Sequence, residues 1–428
     1  MKSDFSFTAV LVTVLVVLMA APALATTYTV NVMGDEILGV CDGMHCTLRE
    51  AIIDANNNPG TDTINVPAGE LLLVVDGGGL GTHEDFAATG DLDIRDDLTI
   101  NGQGPDSTII DANALDRVFH IPVAGLTVTL LGLTITGGGG ISQGGDGGGG
   151  IWSEGSDLTL LFCDVVDNRT GAVPFVDYVG GGILSRDGGE LHMTWTSVMR
   201  NRANFSGGIN HWNGAILDID SSTIAFNVAV NQDGGIATAS NNGLIQNSTI
   251  AFNTTISSPT TDVVGIHNGG TLTISGSTIY GHDEGVAVMS YALYNALVTF
   301  GNSAVQGPCY GGPGGYATTG GNVFDDSGHA VVGLDDVLVT RLELASLGNH
   351  GGATPTLMPY PFSPVIDHPG ADANCLWSDQ RGWTRPRDGD GDGTAHCDAG
   401  AVEYLTNEML FGDNFELGNV LRWSSATP

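Results

Sequence analysis

The sequence predicts an all-β protein, folded as a right-handed parallel β-helix, because three patterns recur through the middle of the chain. A Gly-Gly-Ile motif returns several times, Ser-Thr-Ile triplets recur beside it, and apolar strands run into a turn that ends in asparagine. The isoleucines of the first motif are Ile151, Ile183, Ile209 and Ile236, those of the triplets are Ile224, Ile250 and Ile279, and the asparagines are Asn168, Asn201, Asn227 and Asn253. A β-sandwich or a propeller gives no reason for like residues to align in this way.

The spacing of the repeats supports stacked coils. The asparagines lie 33, 26 and 26 residues apart, as expected when loops of different length leave a coil whose strands stay in register. Parallel stacking places identical side chains about 4.8 Å above one another, so apolar rows would fill the interior and asparagine rows would share amide hydrogen bonds. We expect asparagine or glycine to adopt the left-handed backbone at sharp turns, and the glycine-rich residues 137–150 to form a protruding loop.

Residues 1–25 have the pattern of a secretory signal peptide. Lys2 precedes an apolar run at residues 9–20, and a small-x-small cleavage pattern ends at Ala25. The alternative is a membrane-anchoring helix, which the pattern favours less because a membrane span requires about 20 apolar residues. The sequence therefore predicts an exported protein that begins near Thr26 and has no transmembrane helix in its mature chain.

The charge of the chain limits its partners. The formal net charge is −35, and Lys2 is its only lysine. Such a surface repels phosphate backbones and anionic lipid headgroups, so nucleic acid and docking to charged membranes are disfavoured. Cations and neutral polymers remain as possible partners. Hydrophobic residues make up 42% of the chain, which is ordinary for a folded protein.

The cysteines predict disulfides, since an exported chain meets an oxidising compartment. The preferred pairs are Cys41 with Cys46 and Cys375 with Cys397. Each would fasten a terminal region where repeat packing is absent, and a loop as long as the second contributes about 3 kcal/mol in the chain-entropy model. Cys163 and Cys309 have no assigned partner. A zinc site is disfavoured because no Cys-x-x-Cys spacing with partner histidines occurs.

A helix is predicted ahead of the repeats. Thr47 is a suitable N-cap, and Glu50 follows at the position of a capping-box partner. The apolar face would consist of Leu48, Ala51, Ile52 and Ala55. A solenoid needs its open end covered, so we assign residues 26–96 to an N-terminal cap with irregular first coils and residues 97–306 to the β-helix repeats.

Two segments resemble known families of bacterial exported proteins. Residues 46–51 resemble the Cys-Ser-Leu-Arg-Glu-Ala motif that names the CSLREA family, with Thr47 in place of serine. Within the C-terminal region, residues 307–404, a series of blocks resembles the choice-of-anchor Q domain. These blocks are residues 349–356, 363–367, 379–382, 385–386 and 397–401, with His350 and Val365 in place of the commoner Asn and Ala. The resemblance implies a secreted or surface β-helix protein with a sorting tail, from a family without established enzymatic activity.

The C-terminal tail, residues 405–428, contains Phe411, Asp413, Phe415 and Glu416. It is similar to a short Phe-x-Asp-Gly-Phe-Glu ending on exported proteins of Gram-negative bacteria, with Asn414 in place of glycine. The resemblance predicts an extracellular or outer-membrane-associated location. The alternative is an ordinary terminus whose aromatic residues pack back on the body.

An acidic turn predicts a calcium site. Asp388, Asp390 and Asp392 alternate with glycine, as at the start of a calcium loop. The twelfth position is Ala399 rather than glutamate, with Asp398 beside it, so the segment is not an EF-hand. The alternative is a solvated acidic turn. Repulsion between like charges, which a bound cation relieves, favours calcium as the cofactor.

A second polar cluster emerges from the predicted register. Stacking sets His192 over Asp218, and strand alternation points both outward together with Asp220. Two carboxylates could act as acid and base, or hold calcium against an acidic sugar. A lyase would need a nearby arginine or lysine, and Arg200 and Arg202 lie farther towards the turn. A polar solvent face is therefore the favoured interpretation, and these three residues remain weak catalytic candidates.

The favoured function is display, adhesion or carbohydrate binding on a cell surface or in the medium, with a polysaccharide or another surface ligand as partner and no chemistry. The alternative is a polysaccharide lyase or glycoside hydrolase that uses the outward face of the β-helix. No serine nucleophile elbow, Walker loop or dinucleotide fingerprint occurs in the sequence.

Overall fold

The computed structural model describes residues 25–76, 84–139, 147–170, 178–257, 262–281, 285–290, 296–311, 315–325, 333 and 335–405. Apart from Ala25 and Leu405, the predicted signal peptide and sorting tail lie outside the described residues. Half of the predicted glycine-rich loop, residues 140–146, lies outside them as well.

Three long parallel sheets surround one interior, and successive coils contribute strands to each sheet in turn. Sheet 1 contains Thr27–Thr29, Asp62–Asn65, Leu98–Asn101, Thr127–Leu131, Asp157–Leu161, Leu191–Thr194, Ile216–Asp220, Asn242–Gln246, Thr271–Ser275, Leu297–Gly301 and Tyr316–Gly320. Sheet 2 contains Gly69–Leu72, Thr108–Asp111, Thr134–Thr136, Asp164–Val166, Ser197–Met199, Thr223–Ala225, Thr249–Ala251, Thr278–Tyr280, Ala304–Val305, Val323–Asp325 and Val337–Val339. Sheet 3 contains Leu92–Asp93, Phe119–Ile121, Ile151–Glu154, Ile183–Arg186, Ile209–His211, Ile236–Thr238, Val263–Asn268, Val286–Ser290 and Cys309–Gly311. The predicted parallel β-helix is confirmed.

The parallel sheets extend on both sides of residues 97–306, and on the N-terminal side they enter the segment expected to hold irregular first coils. Strands of sheet 1 begin at Thr27–Thr29, and sheet 2 continues to Val337–Val339, beyond the expected end of the repeats at residue 306. A short fourth sheet of Arg202–Phe205, Val228–Gln232 and Thr254–Thr255 follows sheet 2 in the middle coils. Within the described residues, no helix is both long enough and apolar enough to cross a membrane.

The predicted interior row is present in sheet 2. Val198, Ile224, Ile250 and Ile279 pair in register on successive coils, and each is 0% exposed. Sheet 3 carries a second row, in which Ile151, Ile183, Ile209, Ile236 and Ile266 pair in the same way. Burial of each such side chain stabilises the fold by about 1.5–3 kcal/mol.

The asparagine ladder is confirmed, but its backbone differs from the prediction. Asn201 Nδ2 donates to Asn227 Oδ1 at 3.1 Å, and Asn227 Nδ2 donates to Asn253 Oδ1 at 3.0 Å. The left-handed residue is the one that precedes each asparagine: Asp167, Arg200, Phe226 and Phe252 have φ of 58°, 57°, 57° and 54°. The asparagine itself is held by side-chain and backbone hydrogen bonds to both neighbouring coils, so the turn is made one residue earlier.

The predicted N-terminal helix is Leu48–Asn57, and its Thr47–Glu50 capping box is present. All members of its expected apolar face are buried. The sequence did not indicate that Arg49 would be buried beside them. Its Nε donates to Asp35 Oδ1 at 2.6 Å, and its Nη atoms donate to Asp35 and to the carbonyls of Ala87, Gly90 and Asp91.

Both predicted disulfides, Cys41–Cys46 and Cys375–Cys397, are present. Cys163 and Cys309 are buried and belong to neither disulfide. The second disulfide lies in the irregular C-terminal region, which follows Val337–Val339 and includes the 3-10 helix Pro369–Asn374.

The C-terminal region docks on the outer side of sheet 2, where Thr223, Thr249 and Thr278 form an outward row. Gln380 joins this row, since its Nε2 donates to Thr223 Oγ1 at 2.8 Å and its Oε1 accepts from Thr249 Oγ1 at 2.6 Å. The Ala401 amide donates to Thr278 Oγ1 at 2.9 Å. The threonine of each Ser-Thr-Ile triplet thus receives the C-terminal region, while the isoleucine faces the core.

Candidate functional site

The polar cluster on sheet 1 interrupts a row of outward threonines. Thr99, Thr129 and Thr159 precede His192 and Asp218 at the same register position. This pairing confirms the predicted stacking of His192 on Asp218. His192 Nδ1 lies 3.6 Å from Asp218 Oδ2, and His192 Nε2 lies 3.1 Å from Glu190 Oε2.

The environment makes His192 a cation near neutral pH. The interaction with Asp218 raises the pKa of His192 to about 9, burial opposes this shift, and Glu190 adds to it. Both ring nitrogens face carboxylates, so a protonated imidazole is the form that this arrangement stabilises. Such a ring has no lone pair for a general base. The cluster is better suited to holding charge than to proton abstraction.

The other candidates on this face do not join His192. Asp220 Oδ1 accepts from Ser221 Oγ at 2.9 Å, and Arg200 forms an exposed ion pair with Asp167 at 2.8 Å. Arg200 is thus engaged with Asp167. Glu190 was missed by the sequence reasoning, although it lies two residues before His192, where the alternation of a strand places it on the same face.

The acidic turn gathers a carboxylate that the sequence did not indicate. Oxygen atoms of Asp367, Asp388 and Asp390 lie within 4.8 Å of one another. Asp392 does not belong to that group, because its carboxylate accepts from the Thr394 amide at 2.7 Å. Of the three predicted ligands, the structure brings together two, and Asp367 takes the place of the third.

Backbone amides organise this turn. Asp367 Oδ2 accepts from the amides of Gly389 and Asp390, both at 2.6 Å. Asp388 accepts from Gly391 and Gly393 at 2.7 and 3.0 Å. Each carboxylate oxygen has two lone pairs, so these bonds leave acceptor capacity. Carboxylate oxygens are among the ligands that calcium prefers.

A cleft of about 430 Å³ lies where the last coils of sheet 2 meet the C-terminal region. It is lined by Tyr280, Gln306, Asp325, Thr340, Arg341, Glu343, Leu344 and Tyr360. An antiparallel bridge between Leu344 and Pro359 holds Glu343 and Tyr360 on its C-terminal wall. The volume falls within the range of about 300–1,000 Å³ that small-ligand sites occupy.

A series of aromatic rings leads to this cleft along the edge of sheet 2. The Phe226 and Phe252 rings stack with centroids 5.2 Å apart, and the Phe252 and Tyr280 rings meet edge to face at 5.7 Å. Phe226 is partly exposed. The sequence carried a signal for this series, since Phe226 and Phe252 precede the repeated asparagines. The cleft itself had none, because its walls come from distant segments.

The fold defines the chain as a parallel β-helix protein. The crystal structure of pectate lyase Pel9A is similar to it, with a TM-score of 0.50 and 13% identity over 89% of this chain and 96% of that one. The A-module of the Azotobacter vinelandii mannuronan C-5 epimerase AlgE6 gives a TM-score of 0.32 and 16% identity, over 73% of this chain and 98% of that one. The A-module of AlgE4 from the same organism gives a TM-score of 0.20 and 14% identity, over 68% of this chain and 94% of that one. At these identities the likeness concerns the fold, which rests on the first comparison. The chain matches no family model and no curated protein.

Proposed function

We propose that this protein is an exported β-helix protein that binds a neutral polysaccharide on its surface and does not cleave it. The observation that carries the proposal is the cleft between Tyr280 and Tyr360 at the end of the stacked aromatic series. Aromatic rings offer apolar faces for sugar rings, while Gln306, Arg341 and Glu343 offer donors and acceptors for hydroxyl groups. The net charge of −35 favours a neutral polymer over a polyanion.

Binding and cleavage are separated by one experiment on the purified mature protein. A panel of polysaccharides is scored for binding and for release of reducing or unsaturated ends. We expect Tyr360→Ala to weaken binding at least tenfold, whereas Tyr310→Ala, on sheet 3, has no effect. The two tyrosines are matched, since they are 52% and 55% exposed. Equal binding by both variants would contradict the assignment of the cleft.

The alternative, a lyase or hydrolase, is an outcome of the same panel. Reproducible cleavage by the wild type, lost in Asp218→Asn with an unchanged circular dichroism spectrum, would assign catalysis to the sheet 1 cluster. Removing a general acid or base lowers a rate by about 10²–10⁴. We expect no such release, because His192 is paired on both ring nitrogens.

The family and location remain part of the proposal. The CSLREA and choice-of-anchor Q resemblances support a secreted or surface bacterial protein with its signal peptide removed, and the resemblance of the C-terminal tail supports a Gram-negative source. Two residues within these resembling segments have structural roles in this protein. Thr47 caps the N-terminal helix, and Gln380 docks the C-terminal region on sheet 2.

We also propose that calcium binds at Asp367, Asp388 and Asp390. A ligand that binds the native state stabilises it by about 2.7 kcal/mol at a hundredfold excess over its dissociation constant. Millimolar calcium is expected to raise the melting temperature of the wild type, and Asp390→Ala should abolish most of that rise. Asp392→Ala is the matched control and should keep it. Identical melting in calcium and in chelator would rule the site out.

A further inference from the structure

Arg117 is a buried arginine whose guanidinium lacks the partners that its burial requires. It is 1% exposed, and neither its Nε nor its Nη2 has a hydrogen-bond partner among the described residues. Its Nη1 lies 3.4 Å from Asp91 Oδ2, and its Nε lies 3.9 Å from Asp116 Oδ1. A buried charge without good hydrogen bonds is strongly unfavourable, so native proteins pair such groups.

Arg49, a second buried arginine near the same carboxylates, forms the full set of hydrogen bonds expected of a structural arginine. It is also 1% exposed, and its three guanidinium nitrogens donate to the Asp35 carboxylate and to backbone carbonyls at 2.6–3.2 Å. The two arginines are equally buried, but all the guanidinium nitrogens of Arg49 have hydrogen-bond partners, whereas two of those of Arg117 have none among the described residues. The open donors of Arg117 point to a partner that does not belong to the described part of the chain.

The surroundings of Arg117 form a built site on the outer side of sheet 3. Its guanidinium carbon lies 4.6 Å from the centroid of Trp152, and that of Arg186 lies 5.1 Å from the same ring. Trp152 is almost buried, and its Nε1 also has no hydrogen-bond partner among the described residues. The open Nε and Nη2 donors of Arg117 therefore lie over an indole ring whose own Nε1 is also open, which is a pattern that an anion completes.

The acidic residues nearby are already engaged. His120 stacks on Trp152 with centroids 4.6 Å apart, and its two nitrogens lie 3.1 Å from Asp93 and 3.0 Å from Glu154. Burial raises the pKa of Asp91 well above its usual range, against the opposing effect of Arg117. Asp91 Oδ2 lies 3.4 Å from Arg117 Nη1 and leaves the Nε and Nη2 atoms open. The side chains of Arg186 and Glu154 are 28% and 30% exposed and mark the side that is open to solvent.

We propose that Arg117 and Trp152 form a binding site for a small oxyanion, and the test below distinguishes its two possible sources, the carboxylate of a single acidic sugar and a free inorganic anion. The guanidinium presents a planar fork that matches a carboxylate, and the indole Nε1 supplies a further donor. This site lies on sheet 3, apart from the cleft beside sheet 2, and does not depend on the proposed binding of a neutral polymer there.

The test measures thermal melting and calorimetric binding of the mature protein with galacturonate. Galactose is the uncharged control, and sulfate at equal ionic strength is the inorganic anion. Galacturonate is expected to raise the melting temperature of the wild type, whereas galactose leaves it unchanged. Arg117→Met is expected to weaken galacturonate binding about tenfold to a hundredfold. Arg202→Met removes an exposed arginine from the fourth sheet and should bind as the wild type does.

Trp152→Phe keeps an aromatic ring but removes the Nε1 donor together with part of the indole. It is expected to weaken binding by a smaller factor, and it provides a test if Arg117→Met does not fold. Stabilisation by galacturonate alone identifies a sugar carboxylate. Equal stabilisation by sulfate supports the oxyanion site with a free anion as its source. No effect of either anion on the wild type, or an undiminished effect in both variants, would overturn the proposal. Loss of polymer binding in Tyr360→Ala leaves this result unchanged.

Discussion

The middle coils and the C-terminal region satisfy their buried polar groups in different ways. In the coils, Asn227 bonds to Asn201 and Asn253, so each residue repeats the contacts of its neighbours. In the C-terminal region, Arg381 Nη2 lies 2.7 Å from Asp379 Oδ2, and Arg385 Nη2 donates to the Gly400 carbonyl at 2.7 Å. These contacts occur once and have no equivalent in the coils that the structure describes.

This difference determines how far the loss of one contact destabilises the rest of each region. In a repeat structure, stability is approximately a sum of coil energies and interactions between neighbouring coils, so the loss of one contact is felt locally. In a network of unique buried charges, each partner depends on the others, and removing one leaves an uncompensated charge. The C-terminal region should therefore fail as a unit, while the coils should weaken step by step.

The largest effect is expected from a charge in the shared interior. Ile250 is 0% exposed, and Ile250→Asp places an isolated carboxylate where no partner is available. We expect this variant not to fold. Thr254→Asp, at an exposed position of the neighbouring fourth sheet, is the control and should fold. A soluble Ile250→Asp variant with a cooperative melting transition would contradict the interior row.

A smaller but still large effect is expected from Arg381→Met, which leaves the buried Asp379 carboxylate without its cation. Breaking a buried ion pair in this way destabilises by about 3–5 kcal/mol. Limited proteolysis should cut the C-terminal region while the coils stay intact. Arg387→Met is the control, since Arg387 contacts the same Trp383 ring from a more exposed position. Simultaneous cleavage of both regions would show that they unfold together.

Asn227→Ala is expected to act locally. It leaves the Val198 carbonyl and the neighbouring asparagines each short of a bond, and a buried unsatisfied group costs about 1–3 kcal/mol. Hydrogen exchange should accelerate in the adjacent coils and remain slow in the C-terminal region. Asn242→Ala, at an exposed strand position, should leave exchange unchanged. Faster exchange throughout the chain would refute local failure.

The smallest effect concerns His192, whose pKa rises to about 9 when the chain folds. Its contribution to stability is fully present below the unfolded pKa of about 6.5 and is lost as pH rises through about 9. Because the group is partly exposed, the contribution is about 1 kcal/mol or less. The difference in melting temperature between wild type and His192→Gln should therefore be present at pH 6 and vanish by about pH 10. A constant difference would contradict this charge assignment.

The contrast between repeated contacts in the coils and unique contacts in the C-terminal region also explains which features could be predicted from the sequence. The repeats predicted the register of His192 on Asp218 and of Ile224 on Ile250, because equal residues return at each coil. Asp367 could not be predicted as a neighbour of Asp388, since the segment between them has no repeat and is positioned by long-range bonds such as that from the Asp367 amide to Asp398 Oδ1. The cleft was equally hidden, because Tyr280 and Tyr360 meet only after the C-terminal region has docked.

The interior stacking also governs the chemistry of the thiols of Cys163 and Cys309. Cys163 is 0% exposed, and burial raises its pKa to about 12, while burial raises the pKa of Cys309 in the same direction. The thiolate is the form that attacks disulfides, so at neutral pH neither cysteine exchanges with Cys375–Cys397 once its coil is closed. Mispairing is open only to chains whose coils have not yet stacked. In an oxidising compartment, the coils around Cys163 and Cys309 must therefore stack before these cysteines are oxidised. Only this order leaves Cys41–Cys46 and Cys375–Cys397 as the disulfides that form.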